Sequence, residues 1–370
     1  MKKIDSSSWN MSIGYLPHSQ NVEGPVDRRR GGRITKELQR YGFNISYYNP
    51  INDQNDYDII IISGLYNIDN IIIDLKSRKN TYFILDQPDA LLLSAGPHLR
   101  FISRIMRNIR ELKMKLFNPN IYLRKIVELA TVSDAIITNS TMQADVLLKY
   151  NKNVTAIPDI LDEEYGGQLK KATQNNICRL VWEGFSENVL HFNSIRKALE
   201  ILSAKYSIEL LVYCNENIPK YFKHAGSVKK YLSTLPCRTI FCPWNKETCA
   251  NDLLKGDIGV IPIDMRNKFA SAKPANKLNI MRMLGLPVVA TPTQAHKEAI
   301  HDGIDGFIAS NTKEWVEKIG RLIDDINLRE SVGIVGREKA FKNSSFSMIW
   351  PQWRSVFLSL QGKKQISIDI

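Results

Sequence analysis

Residues 258–310 read IGVIPIDMRNKFASAKPANKLNIMRMLGLPVVATPTQAHKEAIHDGIDGFIAS. The opening run, Ile258–Ile263, is short and apolar enough for a buried strand. A polar loop follows, with Asp264, Arg266, Lys268, Ser271 and Lys273. Pro274 and Asn276 then open a helix capped by Asn276, with Leu278, Met281 and Leu284 on its apolar side. Gly285 ends that helix, and Pro287–Thr291 is a second strand. A short loop, a short helix and the turn pairs Asp302-Gly303 and Asp305-Gly306 lead to Phe307–Ala309. Strand, loop, helix and strand in this order predict a right-handed βαβ unit with parallel strands.

Ligands of such units sit at the carboxyl ends of the strands. The loop after Ile263 is therefore the floor of a candidate site. Free N–H groups at the start of the following helix suit an anion, and Lys273, Lys277, Arg266 and Lys268 lie around that start. A diphosphate fits this arrangement; the plainer alternative is a solvated basic loop.

The stretch from Lys273 to Ser310 resembles the nucleotide-binding half of group 1, family 4-like glycosyltransferases. Gly285, Pro287, Glu298, Gly303 and Gly306 stand where that family has its glycines, proline and glutamate. The resemblance implies a GT-B fold, an α/β architecture of two Rossmann-like domains facing a central cleft. It implies transfer of a sugar from a nucleotide-sugar donor to a hydroxyl, without a bound metal or other cofactor and with retention of configuration. This chain departs from the pattern at two places. Many members carry two glutamates eight apart, where this sequence has Ala272 and Ile280. Members also carry an Arg and a Lys beyond the first glycine of the second domain, where Glu187 and Asn188 follow Gly184. A variant group with Lys-x-x-Asn-Lys/Arg at the helix start is closer.

The chain has 370 residues and a net charge of +12, which suggests two domains and an anionic partner. No apolar run reaches the length of a transmembrane span, and Met1–Asn10 lacks the apolar core of a signal peptide. A cytoplasmic protein is the expectation. Five cysteines, with no Cys-x-x-Cys pair, predict reduced thiols in place of a disulfide framework or zinc site. No nucleic-acid recognition motif accompanies the basic charge.

Toward the N-terminus, Ser12–Leu16 reads as a strand, and His18 in the loop after it is an acceptor-side candidate. The loop runs on through Arg28-Arg29-Arg30-Gly31-Gly32, then a helix to Tyr41, Gly42, and a strand Phe43–Tyr48. The family opens in the same way. By resemblance, Gly31 and Gly32 let backbone approach the donor diphosphate, where a Cβ would intrude. Strands at Asp58–Ser63 and Thr81–Leu85 follow, the second ending in Asp86-Gln87-Pro88-Asp89. Asp86 or Asp89 is placed to serve an acceptor hydroxyl as general base or hydrogen-bond partner, or else to cap the next helix.

Between His98 and Lys125, Ile102, Ile105, Met106, Ile109, Leu112 and Leu116 recur at helical spacing, interleaved with Arg100, Arg104, Arg107, Arg110, Lys113 and Lys115. A basic amphipathic helix suits an anionic membrane surface, each cation there contributing about 1 kcal/mol; the apolar stripe also suits core packing. The expectation is a peripheral protein on the inner membrane face, acting on a glycan or lipid-linked acceptor in surface polysaccharide or glycolipid synthesis.

Further strands at Ala135–Asn139 and Val154–Pro158 close a first domain, 1–165. Asp162–Thr173, with no apolar period, reads as the linker. Cys178–Trp182 starts the second domain, 174–340, and the family places Gly184 against the donor phosphates. A helix is predicted over Leu190–Tyr206, and strands over Glu209–Tyr213 and Thr239–Phe241. Residues 341–370, aromatic-rich at Phe346–Leu360, match the final GT-B helix that crosses back to the first domain. The departures from the family pattern keep a second expectation open, a non-catalytic GT-B-like subunit that binds membrane or partner.

Overall fold

The computed structural model describes residues 11–18, 25–87, 90–94, 119–161, 165, 167–218 and 226–361. They form two compact units: one holds the described residues up to Ile160 together with those from Ser344 onward, the other Leu161–Asn343.

The N-terminal unit is a six-stranded, all-parallel sheet. Its strands are β1 (Ser12–Leu16), β2 (Asn44–Tyr47), β3 (Ile59–Ile62), β4 (Tyr82–Asp86), β5 (Ala135–Thr138) and β6 (Val154–Ala156), in the order β2-β1-β3-β4-β5-β6. β3 is four isoleucines, all buried. Ile59 and Ile61 join one core and Ile60 and Ile62 the other. That alternation shows why the run is continuously apolar: a parallel sheet covered on both faces buries every residue of its central strands. The helix Phe346–Gln361 completes one face, placing Ile349, Trp350, Trp353 and Phe357 in the core that contains Ile13, Leu38 and Phe43. Phe43 meets Trp350 edge-on at 5.7 Å, and Tyr41 stacks on Phe346 at 5.3 Å.

The C-terminal unit repeats the plan with β7 (Cys178–Glu183), β8 (Ile208–Cys214), β11 (Arg238–Pro243), β12 (Ile258–Ile261), β13 (Val288–Ala290) and β14 (Phe307–Ile308). The order is β11-β8-β7-β12-β13-β14, all parallel, with a small antiparallel hairpin of β9 (Asn217–Ile218) and β10 (Gly226–Ser227) apart from it. Counted within the unit this is strand order 3-2-1-4-5-6, a doubly wound sheet that reverses direction between β7 and β12. The structure thus has the expected α/β class, with two parallel sheets.

Three local readings are corrected. The helix after β12 spans Asn276–Met283 with Ala275 in the cap position, so Asn276 lies in the first turn. Asn267 is a cap instead: its side chain accepts from Ala270 N–H and starts a short helix, Lys268–Ser271, inside the loop expected to be irregular. The single helix predicted from Leu190 begins as a 3-10 stretch, Ser186–Ile195, and becomes α-helical only at Arg196. Ser186, Val189, Phe192 and Ile195 are its buried residues, a spacing of three that matches three residues per turn. Gly285, at φ +75°, ends the helix before β13 in the left-handed conformation glycine favours.

Candidate functional site

The reversal between β7 and β12 places two chain exits side by side: Gly184 after β7, and Pro262–Asp264 after β12. Lys277, in the first turn of the helix that follows, lies with its ammonium 4.6 Å from the centre of the Trp182 ring. A Cβ on Gly184 would overlap Lys277 Nζ and come within 2.9 Å of the Trp182 ring. The glycine is therefore required for room: it lets the lysine head reach the end of β7. Lys273, from the loop before the helix, rests its ammonium 4.9 Å from the Phe269 ring centre. Of the two lysines, Lys277 is the one held at the switch point.

Two histidines flank this lysine. His191 is carried on the 3-10 stretch, and its Nδ1 accepts a hydrogen bond from Asp264 N–H at 3.1 Å. His296 is buried in the short helix Gln294–Ala299, with Nδ1 2.7 Å from the Thr291 carbonyl. Burial pushes both imidazoles down to about 4; the positive charge of Lys277 adds to this at each, while the hydrogen bond to the Thr291 carbonyl opposes it at His296. Lys273 adds to the effect on His191, and Asp264 opposes it. Both rings are neutral at physiological pH. Thr291 ties the loops together: its Oγ1 accepts from Ile263 N–H at 2.9 Å, while Thr293 caps the His296 helix.

The other predicted residues of this unit are less central. Arg266 is spread on Asp264, with Nε at 2.9 Å and Nη2 at 2.8 Å, and its side chain is otherwise in solvent. That pairing holds the Asp264 carboxyl below the ordinary carboxylate range. Glu298 is exposed and accepts from Gln294 Nε2 at 2.8 Å. The positions where the family has its two glutamates hold buried Ala272 and Ile280.

In the N-terminal unit, Gly31 and Gly32 open the helix Gly31–Arg40. A Cβ on Gly31 would overlap the Tyr15 hydroxyl, and one on Gly32 would fall 2.6 Å from the Asp27 carbonyl oxygen. Both glycines therefore already serve close packing within the unit. Asp27 Oδ1 accepts from Tyr15 OH at 2.8 Å and from His18 N–H at 2.7 Å, and His18 Nδ1 donates to the Ser63 carbonyl at 3.1 Å. Asp86 lies fully buried at the end of β4. Its Oδ1 accepts from Arg30 Nε at 2.7 Å and its Oδ2 from Ser63 Oγ at 2.7 Å. Arg30 continues to Asp159 Oδ1 and the Ile157 carbonyl, each at 2.9 Å. Burial alone would make this guanidinium easier to deprotonate; Asp86 and Asp159 more than reverse that. Asp86 thus anchors a buried ion-pair network, and its carboxylate does not face solvent. Asp89, Arg100, Arg104 and Arg107 lie outside the described residues.

Sequence reasoning missed Trp182, His191 and His296. Trp182 reads as an ordinary strand residue, and a single histidine in a short helix carries no periodic signal. No group of three His, Cys, Asp or Glu side chains among the described residues is arranged to hold a metal ion.

Residues 180–325 match the family model described as glycosyl transferases group 1. No curated protein matches the chain. Among solved structures, TarM is similar at 15% identity and a TM-score of 0.60, over 81% of this chain and 54% of TarM, so this chain spans about half of it. HepE of Anabaena, solved with UDP and glucose, is similar at 13% identity and a TM-score of 0.61, over 94% of this chain and 100% of HepE. Sucrose-phosphate synthase of Thermosynechococcus elongatus is similar at 10% identity and a TM-score of 0.67, over 96% and 100%. The chain has the GT-B fold, and within its C-terminal unit residues 180–325 match a group 1 glycosyltransferase domain.

Proposed function

We propose that the protein transfers a sugar from a nucleotide-sugar donor to a hydroxyl of a glycan or lipid-linked acceptor, in surface polysaccharide or glycolipid synthesis. The observation that carries this reading is the Lys277 ammonium, held over Trp182 and against Gly184 at the switch point of a group 1 domain. As the glycosidic bond breaks, negative charge builds on the departing diphosphate. A fixed cation beside strand-end backbone stabilises that charge without reorganising, which is what lowers the barrier. Lys273 supplies a second cation within the same electrostatic neighbourhood. This division of labour uses no metal. Support also comes from TarM and HepE, each solved with UDP. We take retention of configuration from the family resemblance, and the anomeric signal of the product by proton NMR decides it.

The N-terminal domain, 1–165, is assigned to the acceptor, and the basic residues Arg100, Arg104 and Arg107 to an anionic membrane surface on the cytoplasmic side. No described helix is long and apolar enough to cross a membrane. Salt-sensitive sedimentation with anionic vesicles, abolished by changing those three arginines to Glu, is the expected result. Equal sedimentation of wild type and triple variant removes the membrane assignment.

The decisive experiment is a thermal-shift and nucleotide-release screen with UDP-, GDP-, ADP-, CMP- and dTDP-sugars. One donor is expected to raise Tm and to release its nucleotide on addition of acceptor, and Lys277→Ala to abolish both. The buried Ala272 and Ile280 favour the alternative, a non-catalytic subunit. A folded protein that binds and cleaves none of these donors establishes it.

A further inference from the structure

The tautomers of the two histidines beside Lys277 follow from their partners. A backbone N–H can only donate, so His191 Nδ1, facing Asp264 N–H at 3.1 Å, holds a lone pair. The proton of the neutral ring is therefore on Nε2. A carbonyl can only accept, so His296 Nδ1, 2.7 Å from the Thr291 oxygen, carries its proton and Nε2 holds the lone pair. Two neutral imidazoles of opposite tautomer thus lie around one lysine, one on the 3-10 stretch and one on the short helix Gln294–Ala299. His296 is buried at 3% exposure. His191 is half-buried, and its Nε2–H makes no hydrogen bond among the described residues.

We infer that His191 is a ligand-binding residue: its Nε2–H donates to a phosphate oxygen of a bound nucleoside diphosphate, beside the Lys277 ammonium. This inference rests on the nucleotide-sugar reading above. It also offers a replacement for the Arg and Lys that glycosyltransferases of this group carry after the first glycine of the second domain, since here Glu187 and Asn188 take those positions. The groups that act electrostatically on the ring are Lys277, Lys273 and Asp264. The two lysines keep the imidazole from becoming a third cation. His191 therefore contributes direction and leaves the charge to the lysines. Its contact with Asp264 N–H fixes the ring plane, as a partner on the far nitrogen does for any working histidine.

The test is calorimetric titration of UDP, ADP, GDP and dTDP into wild type, His191→Asn, His191→Gln and Lys277→Ala, each checked by a melting curve. Asn keeps an acceptor for Asp264 N–H and has no atom at the Nε2 position. Gln reaches that position with an amide N–H. The nucleotide bound best by wild type should bind about tenfold to a hundredfold more weakly to His191→Asn. His191→Gln should recover most of that loss. The ratio of wild-type to His191→Asn affinity should stay constant from pH 6 to pH 8, because a neutral donor gains nothing from acid. An unchanged affinity in His191→Asn, with Lys277→Ala weakened, overturns the inference and leaves the donor site standing. Equal loss in both His191 variants overturns it too, since an N–H at the Nε2 position would then not be what the nucleotide uses. A ratio that climbs toward pH 6 refutes the neutral donor. Failure of every diphosphate to bind wild type overturns the inference together with the functional reading beneath it.

Discussion

Replacing Asp86 with Asn separates two jobs that a strand-end carboxylate can have. If Asp86 contacts an acceptor hydroxyl, the change lowers turnover and leaves folding alone. The structure gives it other work: Arg30 Nε and Ser63 Oγ occupy its two oxygens at 2.7 Å each, and the side chains of Arg30 and Asp86 are 3% and 0% exposed. Asn keeps an acceptor for Arg30 and removes the charge. One guanidinium then remains buried against Asp159 alone. Stranding a buried charge typically costs about 3–5 kcal/mol; Asp159 still balances the guanidinium here, so the expected cost is about 2 kcal/mol, the scale of one lost charge-assisted contact. With a urea slope of about 2 kcal/mol per molar, a loss of about 2 kcal/mol moves the midpoint down by about 1 M. Urea melts followed by circular dichroism measure this directly. The double variant Arg30→Met, Asp86→Leu should lose less than the sum of its single changes, since both single changes break the same Arg30–Asp86 contact. An Asp86→Asn protein with an unshifted midpoint and reduced turnover refutes the reasoning and returns Asp86 to the acceptor.

Gly184→Ala should fold normally and bind nucleoside diphosphate about tenfold to a hundredfold more weakly, as the new Cβ displaces the Lys277 ammonium; calorimetry checks it. Lys273→Ala should lose roughly tenfold to a hundredfold in kcat/KM, with part of it restored in Lys273→Arg, read from steady-state kinetics with the identified donor. Stability should be flat above about pH 6.5 and fall between about pH 6.5 and 4, because the unfolded chain protonates His191 and His296 in that window while the folded chain, with both near 4, does not. His296→Gln should flatten that slope in pH-dependent urea melts.

The two sheets were legible in the sequence because each strand is short, apolar and bounded by turn residues, and Ile59–Ile62 and Ile258–Ile261 are plain cases. The βαβ order of the second domain followed, and with it the end of the sheet where a ligand sits. The spacing of Ser186, Val189, Phe192 and Ile195 was visible too, yet a period of three is close enough to the helical period to pass for an α-helix. Within the site, chemistry outran position. Lys273 and Lys277 stand out because charge at a helix start is a local pattern. Which of them reaches the strand end depends on Trp182 and Gly184, about ninety residues earlier in the chain, and no local pattern encodes that approach.

Asp86 shows the same limit from the opposite side. Its place at the carboxyl end of β4 was read correctly, and a carboxylate there is as well placed for substrate as for structure. What decides between the two is whether a cation from elsewhere arrives first. Arg30 does, brought by the turn before the helix Gly31–Arg40, and the packing of Gly31 on Tyr15 and of Gly32 on Asp27 is what lets that turn lie close to the sheet. The glycines thus have a use before any ligand binds. The switch point of the second sheet follows the same physics with a different outcome. There a glycine again makes room for a cation, and the Lys277 ammonium lies against the Trp182 ring. The first arrangement sets its cation among buried carboxylates; the second sets a lysine against an aromatic ring at the carboxyl end of a parallel strand, the end where ligands of doubly wound sheets sit.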